Sequence, residues 1–448
     1  MIKEFAGARR AEEDESEIYK KLENLLNSSA ESLKLFRLSR SIVSYEYDGR
    51  AIEISFPSFL ILTSISGHNL LLVGSTGSGK TTAARAYGRG VFGSEAYLQI
   101  SPETDLSKLI DINFGEMKEG TLGNAQKITD YVSAPFVVVD EINRVNPKQL
   151  NILQEYLNNG VLNLEGGRRV SVGIQTRSGR YQQKIACINV GGEYTGVLPL
   201  DAAVADRFSI RLNLDDYPPT SRDIVSMLES KEVFNAEKIA KMNLTKEIIF
   251  LFEKLDEVQI SEEAEKYALM LSHLNYCYRS PTGLKSGIKD FSKSICEGCH
   301  AAERFGNLCG SVRGVSNRSL IALTDLAKAF AIYRNYIYRD TPLMVEVEDM
   351  MAAARFVVSP RELIDEEWVE IQGDSSYTRS LDLLLGYIEE AMQDILSFEA
   401  SNAFPSNKQE AQEVKDEVLQ TYPYAYFSDV EDMKRLFAKY RKKEQVRR

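Results

Sequence analysis

Eight residues constrain this chain more than any others: Gly74-Ser75-Thr76-Gly77-Ser78-Gly79-Lys80-Thr81. They fit G-x-x-x-x-G-K-[ST] without exception, between an apolar run (69–73) and a segment that reads as helix. Glycines at this spacing let backbone N–H groups curl around a polyphosphate, and the start of the following helix adds favourable partial charge. The pattern puts residues Gly74, Ser75, Thr76, Gly77, Ser78, Gly79, Lys80, Thr81 and Thr82 around the phosphates. Lys80 is expected at the β- and γ-phosphates and Thr81 on Mg2+.

A loop of this kind needs a sheet behind it. Short apolar runs recur at "NLLLV" (69–73), "AYLQI" (96–100), "PFVVVD" (135–140), "KIACIN" (184–189) and "FSIRLNL" (208–214), separated by helical segments. Continuous apolar runs suit strands buried on both faces, so the region reads as a helix-flanked parallel sheet of α/β class. The third run ends in Asp140 and Glu141. An acid closing a buried strand beside a phosphate loop is placed to orient magnesium, and the next residue to act as general base on water. The fourth run ends in Asn189, which suits either a γ-phosphate contact or the turn into Gly191-Gly192. No N/T-K-x-D guanine-reading motif occurs, so ATP is preferred over GTP.

Length and charge bound the rest. At 448 residues two or three domains are expected, and the net charge of −11 argues against nucleic acid as the main partner. The N-terminus lacks an apolar signal segment, and the most hydrophobic run, 59–73, is interrupted and too short to span a bilayer. A cytoplasmic protein is expected, with its five cysteines as thiols or metal ligands. Residues 12–40 read as a helix with Ile18, Leu22, Leu25, Leu26 and Leu33 on one face, and "SYEYDGRAIEI" as a hairpin around Asp48-Gly49. Beyond Pro218-Pro219 the chain reads as almost wholly helical to residue 395.

With these residues in view, the chain resembles AAA+ ATPases, and within them the MoxR family. "DEINRVNPKQLNILQEYLNNGVLNLEG" is similar to that family's second-acid segment, and "INVGGEYTGVLPLDAAVADRFSIRLNLDDYP" to its sensor-1 region. "ISPETDLSKLID" resembles the segment after its second strand. The resemblance covers about residues 66–361. It implies an AAA+ P-loop core followed by an all-helical lid and further C-terminal helices. The domains expected are an N-terminal helix and β-hairpin extension (1–60), the nucleotide-binding domain (61–218), the lid (219–365) and a C-terminal extension (366–448).

The resemblance also assigns roles. Arg207 becomes an arginine finger acting on a neighbour's nucleotide in a ring, most naturally a hexamer, and Asn189 a γ-phosphate sensor. A lid arginine is implied within a Ser-Pro-Arg motif. Ser316-Asn317-Arg318 precedes a long helix as that motif does, while Ser359-Pro360-Arg361 matches its letters but follows the helix; Arg318 is preferred on position. The implied activity is ATP hydrolysis driving remodelling of a protein client, chaperone-like, such partners often carrying a von Willebrand factor A domain. Two other classes stay open: a nucleic-acid-dependent motor or restriction-type translocase, and a nucleotide-gated scaffold with little turnover. The family's upstream Gly-Gln pair and its proline-containing phosphate loop are missing, which marks a divergent branch.

Three features lie outside that core pattern. The hairpin "VLNLEGGRRVSVG" resembles the clade's helix-2 insertion, and Phe114 suits either a second client-facing loop or ordinary packing. Cys296, Cys299 and Cys309, with Cys277 or His300, have the chemistry of a zinc site, though thiols packed between helices explain them as well. The C-terminal "KRLFAKYRKKEQVRR" concentrates eight basic residues against one acid, suiting a solvated helix end or a docking arm.

Overall fold

The structure, a computed structural model, describes residues 2–34, 36, 38–94, 96–104, 106, 110–112, 126–128, 130–158, 160–163, 169–189, 201–229, 239–273, 315–357 and 385–386. Two compact units divide the chain: residues 1–260 with 324–352, and residues 261–323 with 353–448.

The first unit opens with a long helix, α1 (Ile2–Ser32). It ends eight residues short of the expected span; Ile18, Leu22 and Leu25 are buried as the helical spacing requires, Leu26 is half-buried, and Leu33 is buried just past the helix end. The hairpin follows as β1 (Ser41–Tyr47) and β2 (Arg50–Ser55), with Tyr47 opposite Arg50 and both Asp48 and Gly49 at positive φ. The most hydrophobic run of the sequence then divides at Gly67. Before it lies α2 (Phe56–Ser66), capped by Ser55 and buried along nearly its whole length. Gly67 ends that helix at φ 75°, with the Phe252 ring where a Cβ would stand.

After Gly67 comes β3 (Leu70–Gly74), which leads through the phosphate loop into α3 (Lys80–Tyr87). The sheet is completed by β4 (Tyr97–Gln99), β5 (Phe136–Asp140), β6 (Gln183–Asn189) and β7 (Ile210–Asn213). Its order is β7-β3-β6-β5-β4, every pair parallel. All five expected strands are therefore in one sheet. Its central members are buried on both faces: Leu70, Leu71 and Leu72 in β3, Val137, Val138 and Val139 in β5, Ile185 and Ala186 in β6. Full burial of each of these Val, Leu and Ile side chains contributes about 1.5–3 kcal/mol, which is why these runs carry no polar alternation.

Between β5 and β6 the chain forms a helix at Leu150–Leu157, then an antiparallel pair, Val161–Asn163 with Arg169–Ser171. That pair is the hairpin expected over "VLNLEGGRRVSVG", its tip outside the described residues. A further hairpin, Ile174–Thr176 with Gly179–Tyr181, was not anticipated. Phe114 also lies outside the described residues.

The C-terminal part of the first unit holds the β1–β2 hairpin in place. Arg334 and Asp349 form an ion pair that is fully buried on both sides, with guanidinium–carboxylate contacts of 3.0–3.3 Å. Tyr45 donates to Asp349 at 2.7 Å, and the Arg334 guanidinium lies 4.1 Å from the centre of the Tyr47 ring. At the hairpin turn Arg50 makes a two-pronged bond to Asp340 at 2.6 and 2.7 Å. A short parallel pairing of Gln259–Ile260 with Met344–Val345 interrupts the expected helical run.

In the second unit the described parts are helical. Glu262–His273 is a helix, and Asn317–Ile337 begins there, its first turn capped by Ser316 accepting from the Ser319 N–H at 3.1 Å. Arg318 sits in that first turn. Arg361, the four clustered cysteines, His300 and the basic tail lie outside the described residues. Among the described residues no helix is long and apolar enough to cross a membrane, and no three or more His, Cys, Asp or Glu side chains are grouped so as to hold a metal.

Candidate functional site

Parallel strands end together, so the loops after β3, β5, β6 and β7 meet at one edge of the sheet. The register fixes who meets whom. Asn189 is paired with Gly74, Cys187 with Asp140, Gln99 with Asp140, and Asn213 with Val73. Lys80, Thr81, Asp140, Glu141 and Asn189, scattered over 110 positions of sequence, are thereby gathered at this edge.

The phosphate loop is shaped by its glycines. Gly77 and Gly79 take φ 87° and 82°, values that a residue with a Cβ rarely adopts. Gly79 has a second reason to be glycine: a Cβ there would stand 2.6 Å from the Phe36 ring. Lys80 is buried, and its ammonium donates to the carbonyls of Gly74 and Ser75 at 2.8 and 2.7 Å and to the Ser78 hydroxyl at 3.0 Å. Burial pulls its pKa below the ordinary lysine value, against the opposing effect of the Asp215 and Asp140 carboxylates. Positive-φ glycines, a helix N-terminus and a buried cation fit a polyphosphate.

Asp140 closes β5. Its Oδ1 accepts from the Thr81 hydroxyl at 3.0 Å and from the Glu141 N–H at 3.0 Å, while Oδ2 accepts from the Tyr97 hydroxyl at 2.8 Å. A hydroxyl and a carboxylate in direct contact beside a phosphate loop are a hard-oxygen pair suited to Mg2+, which keeps most of its waters and takes one or two protein ligands. Tyr97 was not foreseen. The sequence shows it only as one member of an apolar strand, and the signal is its place two residues before the end of a strand that neighbours the acid. Burial, then the bond to Asp140, holds the Tyr97 phenol well above its ordinary pKa, so it remains a donor.

Glu141 is one of two non-glycine residues with positive φ among those described, at 55°. Its N–H is held by Asp140 and by the Cys187 carbonyl, both at 3.0 Å. Its carboxylate pairs with Arg144 at 3.2 Å and meets the Gln99 amide at 3.5 Å. A left-handed conformation on an acidic side chain is an energetic expense of order 1–3 kcal/mol that surrounding structure must enforce, and such positions cluster at reactive sites.

The remaining expected residues separate. Asn189 reaches the same edge, beside the first residue of the phosphate loop. Arg207 does not. Its backbone carbonyl accepts from Asn69 at 3.1 Å, before β3 begins, and its guanidinium donates to the carbonyls of Gln154, at 3.1 Å, and Ala203. It therefore sits by the opposite end of β3 from the loop. Asp215 is the second residue missed: it follows β7 and accepts from the Ser75 N–H at 3.0 and 2.8 Å and from the Ser75 hydroxyl at 3.0 Å.

Residues 69–208 match the AAA domain of the dynein-related subfamily. The chain carries an AAA+ ATPase domain. The matched stretch spans β3 through the Arg207 turn, and so includes the phosphate loop, Asp140, Glu141 and Asn189. Among solved structures, a protein from Cytophaga hutchinsonii provisionally described as an ATPase is similar with a TM-score of 0.58 and 19% identity, over 86% of this chain and 98% of that one. At that identity the likeness is one of fold, and it extends well beyond the AAA+ domain. A full-length MCM homolog from Methanopyrus kandleri gives a TM-score of 0.38 at 15% identity, covering 76% of this chain and 61% of that one. Comparison with curated proteins returns no match.

Proposed function

We propose that this AAA+ ATPase is of the MoxR type and works in a hexameric ring, hydrolysing Mg2+-bound ATP to remodel a protein partner. The observation that carries the ring is the position of Arg207. It stands near the start of β3, whereas the phosphate loop leaves the other end, about 15 Å along a five-residue strand. An arginine so placed serves a neighbour's γ-phosphate better than its own, and a finger of that kind is worth 10³–10⁵ in rate.

Within one subunit the division of labour follows the contacts. Lys80 and the loop N–H groups hold the β- and γ-phosphates, and Thr81 with Asp140 would hold Mg2+, which supplies charge neutralisation on the phosphates when bound. Glu141, fixed in its left-handed turn, orients and deprotonates the attacking water. Asn189 senses the γ-phosphate, and Arg318 belongs to the lid. The insertion hairpin after Gly160 is the natural client-facing element, and a partner bearing a von Willebrand factor A domain is the class we carry over from the resemblance.

Complementation tests the ring. Arg207→Ala and Glu141→Gln subunits should each be nearly inactive. Mixed in equal amounts, they should recover about a quarter of the parent activity, because random assembly sets an intact Glu141 beside an intact neighbouring Arg207 at that fraction of sites. A mixture as inactive as its components would remove the trans role.

A further inference from the structure

Two charged side chains grip the same peptide of the phosphate loop from opposite sides. The Asp215 carboxylate takes the N–H of the Gly74–Ser75 peptide through both oxygens, at 3.0 and 2.8 Å, and the Ser75 hydroxyl as well. Lys80 takes the carbonyl of that peptide, the Gly74 oxygen, at 2.8 Å, and the next carbonyl, that of Ser75, at 2.7 Å. A trans peptide is planar, with its N–H and C=O pointing in opposite directions. Fixing the N–H toward Asp215 therefore aims the Gly74 carbonyl toward Lys80.

The grip has something to resist. Gly74 lies at φ 155°, a backbone region open to glycine, so the peptide that follows it turns more freely than at any other residue type. Gly74 is also confined: a Cβ would stand 3.2 Å from both Asp215 Oδ1 and the Ser78 hydroxyl. Asp215 is itself held in place. It sits in a short turn, Leu214–Asp216, capped by Asn213, whose side chain accepts from the Asp215 N–H at 3.2 Å. The turn lies beside the loop because Asn213 pairs with Val73 in the parallel sheet.

We propose that Asp215 is a positioning residue for nucleotide binding: by pinning the Gly74–Ser75 peptide it aims the carbonyl that seats the Lys80 ammonium where the phosphates arrive. This rests on the loop being the ATP site. Loss of the pin leaves Lys80 charged and present but less well placed, so affinity falls while the chemistry, set by Asp140 and Glu141 on another strand, continues. The carboxylate acts through Lys80 and touches no reacting atom.

The test measures binding of the fluorescent nucleotide mant-ATP with Mg2+, and steady-state ATP hydrolysis, for the full chain. Asp215→Ala should raise both the mant-ATP Kd and the KM for ATP about tenfold and change kcat less than twofold. Asp215→Asn keeps one acceptor oxygen for the Ser75 N–H and should recover most of the affinity. Ser75→Ala, which removes only the hydroxyl bond, should weaken binding a little in the parent and not at all in the Asp215→Ala background. Circular dichroism confirms that each variant is folded. Parent-like Kd in Asp215→Ala, or a loss in kcat at unchanged KM, overturns the proposal. Failure of the parent itself to bind mant-ATP, with Lys80→Ala as the negative control, would instead overturn the ATP site on which it stands.

Discussion

Lys184 sits fully buried in β6, opposite Val137 in the sheet, with its ammonium 4.8 Å from the centre of the Tyr156 ring. Burial lowers its pKa from 10.5 to about 7. The folded state thus binds fewer protons than the unfolded state between about pH 7 and pH 10, and stability rises with pH through that window. Below about pH 6 both states carry the proton and the cost of burying it is full and constant. A displacement of about 3.5 units corresponds to roughly 5 kcal/mol across the whole window, of which about 2 kcal/mol falls between pH 7 and pH 9. Lys184→Met retains the long side chain and removes the titration. Its urea-unfolding free energy, followed by far-UV circular dichroism, should exceed the parent's by about 2 kcal/mol more at pH 7 than at pH 9. A parent–variant difference that stays constant from pH 6 to pH 9 would show instead that Lys184 has an ordinary pKa in the folded protein.

Tyr97→Phe removes the hydroxyl that bonds Asp140 at 2.8 Å, and should weaken the response to Mg2+ by about 10–100-fold, recoverable at excess Mg2+; an unchanged Mg2+ titration of hydrolysis would remove Tyr97 from the site. Asp349→Ala leaves Arg334 charged inside the protein and should cost about 3–5 kcal/mol in urea unfolding, whereas Arg334→Met with Asp349→Leu should cost far less. Equal losses in the single and double variants would contradict the assignment of that cost to an unpaired buried charge.

Much of the nucleotide edge was legible because its residues are local in sequence. The phosphate loop is eight consecutive residues, and Asp140, Glu141 and Asn189 each terminate an apolar run long enough to read as a strand. All five runs became strands of one parallel sheet, and the apolar stretches of its central strands have few other ways to be buried. What escaped depends on strand order. Asp215 touches Ser75 only because β7 lies beside β3, and Tyr97 touches Asp140 only because β4 lies beside β5. Apolar runs show that strands exist and leave their neighbours unstated. The Arg334–Asp349 pair was hidden for a related reason: its partners, Tyr45 and Tyr47, lie about 300 residues earlier in the chain. Gly67 shows the opposite case, a single glycine whose left-handed turn divides one apolar run into a buried helix and a central strand.

If Glu141 activates water while the phosphate loop holds ATP, binding and hydrolysis are separable at that residue. Glu141→Gln preserves the side chain's size and its place in the left-handed turn while removing the base. Measured together, mant-ATP affinity and ATP turnover of Glu141→Gln should show Kd within about twofold of the parent and turnover reduced by about 10²–10⁴. Turnover equal to the parent's would contradict the assignment.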